Sequence, residues 1–268
     1  MTYEWITDAL EETWEDIDRF LRLRPYEVYD APTSCPGWSV RDVLSHLTGV
    51  AEMLAGAPVP RHDGAWPDYV HNPIGELNEA FVQANRERPG LEVLDAFREA
   101  SRRSLSDLRA LDTDAWEKLG WSPEGERPFH RFQETRVLDG WIHFQDIRDA
   151  LGEPHDDPGV GGDVVLSRFE AALPYVIGKR VGAPDGTLVR VNITGPRGRS
   201  VAVAVRDHRA EVVEEATSTP SLEITTTSAL FWRRAAGRVG VDEFLDSCEL
   251  QGDLDLARSL AESLRIML

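Results

Sequence analysis

The spacing of apolar residues changes character along this chain, and that change decides the fold class. Through residue 151 apolar side chains recur three and four apart, the period of a helix with one buried face. Between residues 187 and 226 they alternate, the period of a half-buried strand. The two parts are separated by His155-Asp-Asp-Pro-Gly-Val-Gly-Gly162, a stretch with the composition of a connection. The expected class is α+β, with a helical bundle over residues 1–157 and a small C-terminal domain built on an antiparallel sheet over residues 158–268.

Local signals place the elements. Residues 2–23 carry Trp5, Leu10, Trp14, Ile17, Phe20 and Leu21 at helical spacing among acidic residues. A Pro- and Gly-rich break over residues 31–38 leads to Ser39-Val-Arg-Asp42, a capping-box pattern that opens a helix over 39–55. Further helices are expected over 74–87, 91–111 and 129–151, the last stopped by Gly152 and Pro154. Long loops are expected over 56–73 and 112–128. In the second part a helix over 163–179 precedes strands at Thr187–Ile193, Ser200–Val205, Glu211–Glu215 and Ser221–Thr226, with helices over 227–237 and 253–266 closing the chain.

Charge removes whole classes of partner. Lys and Arg number 29 against 47 Asp and Glu, a formal charge of −18. Such a chain is repelled by nucleic-acid phosphates and by anionic membrane surfaces. A hydrophobic content of 41% with eight Trp supplies a packed core. Two cysteines, Cys35 and Cys248, make no disulfide framework. With no basic and apolar leader at Met1 and no apolar run of about 20 residues, the expectation is a cytoplasmic protein, monomer or homodimer.

Chemistry-bearing residues gather on two expected helices. His46 sits on an apolar face beside Val43, Leu47 and Val50, where a lone histidine is more often a hydrogen-bonded core residue. Asp139 and His143 lie four apart, so they project one above the other and make a two-point chelate. A carboxylate and an imidazole on one helix with a third ligand from another is how bundles hold metals, and three protein ligands leave a position open for chemistry. His130 and Glu134 form a rival pair four apart. Five residues turn an ideal helix by about 140° net, so only one of the pairs can face His46, and spacing alone does not choose. Asp146, three after His143, is placed to accept a hydrogen bond from that imidazole or to be a surface carboxylate. Cys35 reads as structural, with no base nearby in sequence.

The stretch Ser34-Cys-Pro-Gly-Trp-Ser-Val-Arg-Asp-Val-Leu-Ser-His46-Leu47 resembles the signature of the mycothiol-dependent maleylpyruvate isomerase family, within the DinB-like metalloenzymes. Residues Asn72–Val82, Trp141–Gly152, and Arg234-Ala-Ala-Gly-Arg238 with the closing Gly252–Leu268 are similar to further family segments in the family's order. The resemblance implies a DinB-like four-helix bundle followed by a sterol-carrier-like α/β domain. It implies a divalent metal, usually zinc, held by His46, Asp139 and His143, with Asp139 standing where the family pattern carries glutamate. It implies mycothiol as thiol cosubstrate, a small electrophilic substrate, and an arginine from the C-terminal domain, for which Arg238 is the candidate catalytic residue. The expected function is cis–trans isomerisation of the maleylpyruvate type or thiol S-transfer. The alternative is a non-catalytic metal- or thiol-binding protein of the same fold.

Overall fold

The computed structural model describes residues 3–153, 159–195, 197–214 and 219–267. The chain divides into two compact units, residues 1–155 and 156–268. The expected boundary at 157/158 and His155 lie outside the described residues.

The first unit is a bundle of α1 (Glu4–Leu21), α2 (Val40–Leu54), α3 (Pro73–Asn85), α4 (Gly90–Arg109), a short α5 (Thr113–Glu117) and α6 (Phe129–Ala150). Helix α1 packs on α4 and α6, and α2 packs on α3, α4 and α6. The apolar stripe of α1 buries Ile6, Ala9, Leu10, Trp14, Ile17 and Leu21, while Trp5 stays 44% exposed at the helix start. Helix α6 is buried on nearly all sides from Phe132 to Ile147, polar residues included. A central helix that buries Gln133, Glu134, Arg136, His143, Gln145 and Asp146 concentrates polar side chains inside the bundle.

The expected loop over 112–128 contains more order than its composition suggested. It holds α5, whose Trp116 is buried, and a minimal hairpin of β1 (Leu119–Gly120) with β2 (Arg127–Pro128). Asp112 caps α5 by accepting from the Ala115 N–H at 2.9 Å.

The second unit opens with α7 (Gly159–Tyr175). Pro174 removes a backbone donor near its end, and the chain continues as a π-helical turn over Val176–Arg180. The sheet follows: β3 (Leu188–Thr194), β4 (Arg199–Arg206), β5 (Arg209–Val213) and β6 (Leu222–Thr227). Then come α8 (Ser228–Ala235), α9 (Val241–Asp246), β7 (Glu249–Gly252) and α10 (Leu254–Ser263). Strand order is β5-β4-β3-β6-β7. Three pairings are antiparallel, as expected, but the central β3–β6 pair is parallel, with Val189 opposite Leu222 and Val191 opposite Ile224. Asp207 and His208 adopt positive φ, 50° and 61°, in the tight turn between β4 and β5.

Alternation sorts the sheet into two faces. Val189, Val191 and Ile193 are buried with Val203, Leu222 and Ile224. The opposite face carries a polar ladder, with Arg190 donating to Glu223, Asn192 donating to Glu223 and Ser200 donating to Asn192.

Candidate metal centre

Two local devices aim the first donors. Ser39 caps α2: its hydroxyl accepts from the Asp42 N–H at 3.3 Å, and Asp42 accepts from the Ser39 N–H at 2.8 Å. This fixes where α2 begins and therefore which way His46 points. Before it, the turn Cys35–Trp38 closes through the Trp38 N–H to the Cys35 carbonyl at 3.0 Å. Gly37 takes φ +74° there, with the Tyr69 ring packed where any side chain would stand. The turn points Cys35 and Trp38 inward.

Helix α6 supplies the rest. His46 Nε2 lies 3.0 Å from Asp139 Oδ2, and His143 Nε2 lies 3.5 Å from Asp139 Oδ1. The two imidazole rings meet edge to face with centroids 5.0 Å apart. Trp38 walls both rings, at 5.3 Å from His46 and 6.0 Å from His143. His46 and His143 are buried, whereas the Asp139 side chain keeps 26% exposure, so the carboxylate marks the open side.

The far side of His143 is equally structured. Its Nδ1 lies 3.1 Å from Asp146 Oδ2, and the Cys35 thiol donates to the same oxygen at 3.3 Å. Asp146 is completely buried. Local spacing holds no sign of this role for Cys35, because its carboxylate partner is 111 residues away. Cys35, read from sequence as structural, is joined through space to a carboxylate that its sequence neighbourhood does not show.

Electrostatics follow from this crowding. Burial acts to raise the Asp139 carboxyl, but His46, His143, the hydrogen bond with His46 and the nearby Arg136 guanidinium overcome it and hold it at about 2. His143 moves the opposite way: burial disfavours its charge, yet Asp139, Cys35 and Asp146 raise it well above the ordinary imidazole value. Arg136, buried beneath Ser104 and Gln133 and stacked 5.0 Å over Trp14, is pushed down to about 10 by burial against the pull of Asp139.

Among the described residues, two groups of three donors have their ligand atoms within 4.8 Å of one another: His46 with Asp139 and His143, and Cys35 with His143 and Asp146. The first set offers two nitrogens and carboxylate oxygen, the donors of a catalytic zinc-type site. His46 Nδ1 is buried without a partner, so this imidazole presents its chemistry through Nε2 alone. The rival pair sits elsewhere in the bundle and belongs to neither set. His130 Nδ1 lies 3.5 Å from Glu134 and its Nε2 3.7 Å from Glu117, while its ring stacks on Tyr3. Arg238 belongs to the second unit, just past α8, and donates through Nη1 to the Ala236 carbonyl at 2.8 Å.

A network that composition could not reveal braces the wall. Glu79 of α3, wholly buried, accepts from Trp38 Nε1 at 2.8 Å, Tyr69 at 3.0 Å, Gln83 at 2.6 Å and Arg86 at 3.1 Å. It ties the 56–72 connection and α3 to the indole that lines both histidines.

Comparisons with known proteins bear on the fold and the family. The fold matches the crystal structure of the mycothiol-dependent maleylpyruvate isomerase with a TM-score of 0.59 at 16% identity, over 94% of this chain and 93% of that one. The structure of a histidine-to-alanine mutant of that isomerase matches at 0.59 and 15% identity over the same shares. A partial match to Sterol Carrier Protein 2 Like 2 from Aedes aegypti covers 37% of this chain at 24% identity with a TM-score of 0.27, too low to bear on the shape. Uncharacterized proteins of Mycobacterium tuberculosis, from strains CDC 1551 / Oshkosh and H37Rv, are each 24% identical over 163 residues. The chain matches 56% of the length of those relatives. Residues 10–148, the segment that carries every donor around Asp139 and Asp146, match the model of the mycothiol maleylpyruvate isomerase N-terminal domain, and the chain belongs to that family.

Proposed function

We propose that this chain is a metal- and thiol-dependent enzyme of the maleylpyruvate isomerase type, with mycothiol as its thiol. The observation that carries the reading is the convergence of His46 and His143 on separate oxygens of one carboxylate, Asp139, from helices that are far apart in sequence. His46, Asp139 and His143 would hold a divalent cation such as zinc, whose chemistry is to favour the thiolate of a bound thiol at neutral pH.

The chain's own residues prepare that site. Asp146 accepts a hydrogen bond from the Nδ1–H of His143, which leaves the Nε2 lone pair for a cation held beside Asp139. Trp38 covers the imidazoles on one side and keeps water from them. Partial exposure of Asp139 leaves the approach for thiol and substrate. Arg136 adds positive charge behind the carboxylate and keeps it ionised. Arg238 is proposed to hold a carboxylate of substrate or thiol, a task suited to a guanidinium fork.

With a conjugated cis acid, thiolate addition leaves a single bond, rotation follows, and expulsion of the thiolate gives the trans isomer. With an electrophile that lacks this option, the adduct takes a proton at carbon or expels its leaving group, the new thioether remains and the reaction is a transfer. The test is to incubate metal-loaded protein with mycothiol and maleylpyruvate and to identify products by NMR. Catalytic formation of the trans acid supports isomerisation, and accumulation of thioether supports transfer. Bound metal without turnover of either kind supports the binding-protein alternative. Loss of substrate saturation in Arg238→Ala, with metal content intact, supports the role given to Arg238.

A further inference from the structure

The second donor group has no place in that mechanism beyond orienting His143, yet its geometry is that of a ligand set. We propose that Cys35, His143 and Asp146 form a second, thiolate-bearing metal site, bridged to the first through the two nitrogens of the His143 ring. The proposal rests on the reading of His46, Asp139 and His143 as the first site.

Three observations carry it. The donor separations are 3.3 Å for Sγ to Oδ2, 3.8 Å for Sγ to Nδ1 and 3.1 Å for Nδ1 to Oδ2. A tetrahedral ion with bonds of about 2.3 Å to sulfur and about 2.0 Å to nitrogen and oxygen keeps its donors about 3.3–3.6 Å apart. The observed separations straddle that range, so seating an ion calls for side-chain shifts of about a few tenths of an ångström. The two nitrogens of His143 also address different carboxylates, Nε2 toward Asp139 and Nδ1 toward Asp146. One ring thus belongs to both donor groups. Finally, all three donors are buried, which suits a closed site for a borderline or soft cation rather than a hydrated hard one.

Charge and protons balance. Without metal, the Cys35 S–H and the His143 N–H both donate to Asp146. Filling the second site sends those two protons to solvent, leaving a thiolate and a bridging imidazolate. With Asp139 and Asp146 the donors then carry four negative charges, which neutralise two divalent cations inside the bundle. The ions that fit sulfur, nitrogen and oxygen together are Zn²⁺, Co²⁺ and Cd²⁺.

The experiment is titration of the metal-stripped full chain with Co²⁺, and separately with Cd²⁺. Equilibrium dialysis counts the ions, and ultraviolet absorption detects thiolate-to-metal charge transfer. Two equivalents are expected, with the charge-transfer band rising only as the second binds. Cys35→Ser, close in size, is expected to bind one equivalent with no band and an unchanged melting profile. Asp146→Asn is expected to lose the second equivalent as well. One equivalent without the band in the wild type overturns the second site and leaves the first standing. One equivalent with a band that survives His46→Ala would place the ion on Cys35, overturning both the shared ring and the first assignment. No bound ion removes both.

Discussion

The carboxylate of Asp146 stands 3.1 Å from Nδ1 of His143 and is wholly out of solvent. An acceptor-only group in that position fixes the tautomer of the ring, so Nε2 is the nitrogen left for the cation held with His46 and Asp139. Asp146→Asn offers an amide that can turn either its oxygen or its N–H toward the ring. The expected result is a loss of metal affinity of about 10- to 100-fold, measured by competition against a chelator of known strength. Undiminished affinity would show that the ring needs no such partner.

Glu79 accepts from four donors on three segments while fully buried. Glu79→Gln keeps the shape, removes the charge that faces Arg86, and brings an N–H₂ group against donors. Breaking a buried pair in this way costs about 2–4 kcal/mol. Urea unfolding should show it as a lower midpoint at unchanged slope. Metal affinity should fall too, because Trp38 loses its tether. A stability change under about 0.5 kcal/mol, the size of an ordinary surface substitution, would contradict this bracing role.

Gly49 lies on α2 where the Phe81 ring of α3 packs directly on the backbone. Any Cβ there overlaps the ring. Gly49→Ala gains helix propensity of about 1 kcal/mol, yet overpacking at a closed contact costs about 1–3 kcal/mol. The expected net outcome is destabilisation in a thermal melt, relieved by adding Phe81→Leu. A raised melting temperature in Gly49→Ala alone would mean that α2 and α3 separate more easily than their packing indicates.

In metal-stripped protein the Asp139–His143 pair sets a pH window. Asp139, held at about 2, contributes stability that is full above its unfolded value and is lost as pH falls through 2. His143, raised well above its ordinary value, contributes stability that is full below about 6.5 and is lost as pH rises through its folded value. Their joint contribution is therefore greatest in mildly acidic solution. Asp139→Asn should flatten both limbs of a denaturation-midpoint profile. A profile identical to that of the stripped wild type would show that the pair does not couple to folding.

What could be read from sequence, and what could not, divides along contact distance. Helix α2 announced itself through Ser39 and Asp42, neighbours that cap one another, and the Asp139–His143 spacing placed two donors on one face of α6. Period and local capping act within a turn or two, so a sequence displays them directly. The apolar neighbours Leu138, Trp141, Ile142 and Ile147 favour Asp139 over Glu134 and the family resemblance settles the choice, because spacing alone does not distinguish two carboxylate–histidine pairs. Cys35 beside Asp146 and Glu79 beneath Trp38 were not legible, since each joins residues brought together only by tertiary packing. Helix α9, six residues long, and edge strand β7, with little burial or alternation, were too short to show a period. The parallel β3–β6 pairing joins strands that are not consecutive, and alternation along a strand says nothing of its neighbour's direction.

Whether His46, Asp139 and His143 hold an ion together decides the chemistry of this protein. The direct measurement is metal content by elemental analysis of the purified wild type beside His46→Ala and His143→Ala, each checked for a retained fold by circular dichroism. Wild type is expected to carry stoichiometric divalent metal, and both variants to lose the ion that Asp139 shares with them. Full retention of metal in folded His143→Ala would contradict the assignment outright.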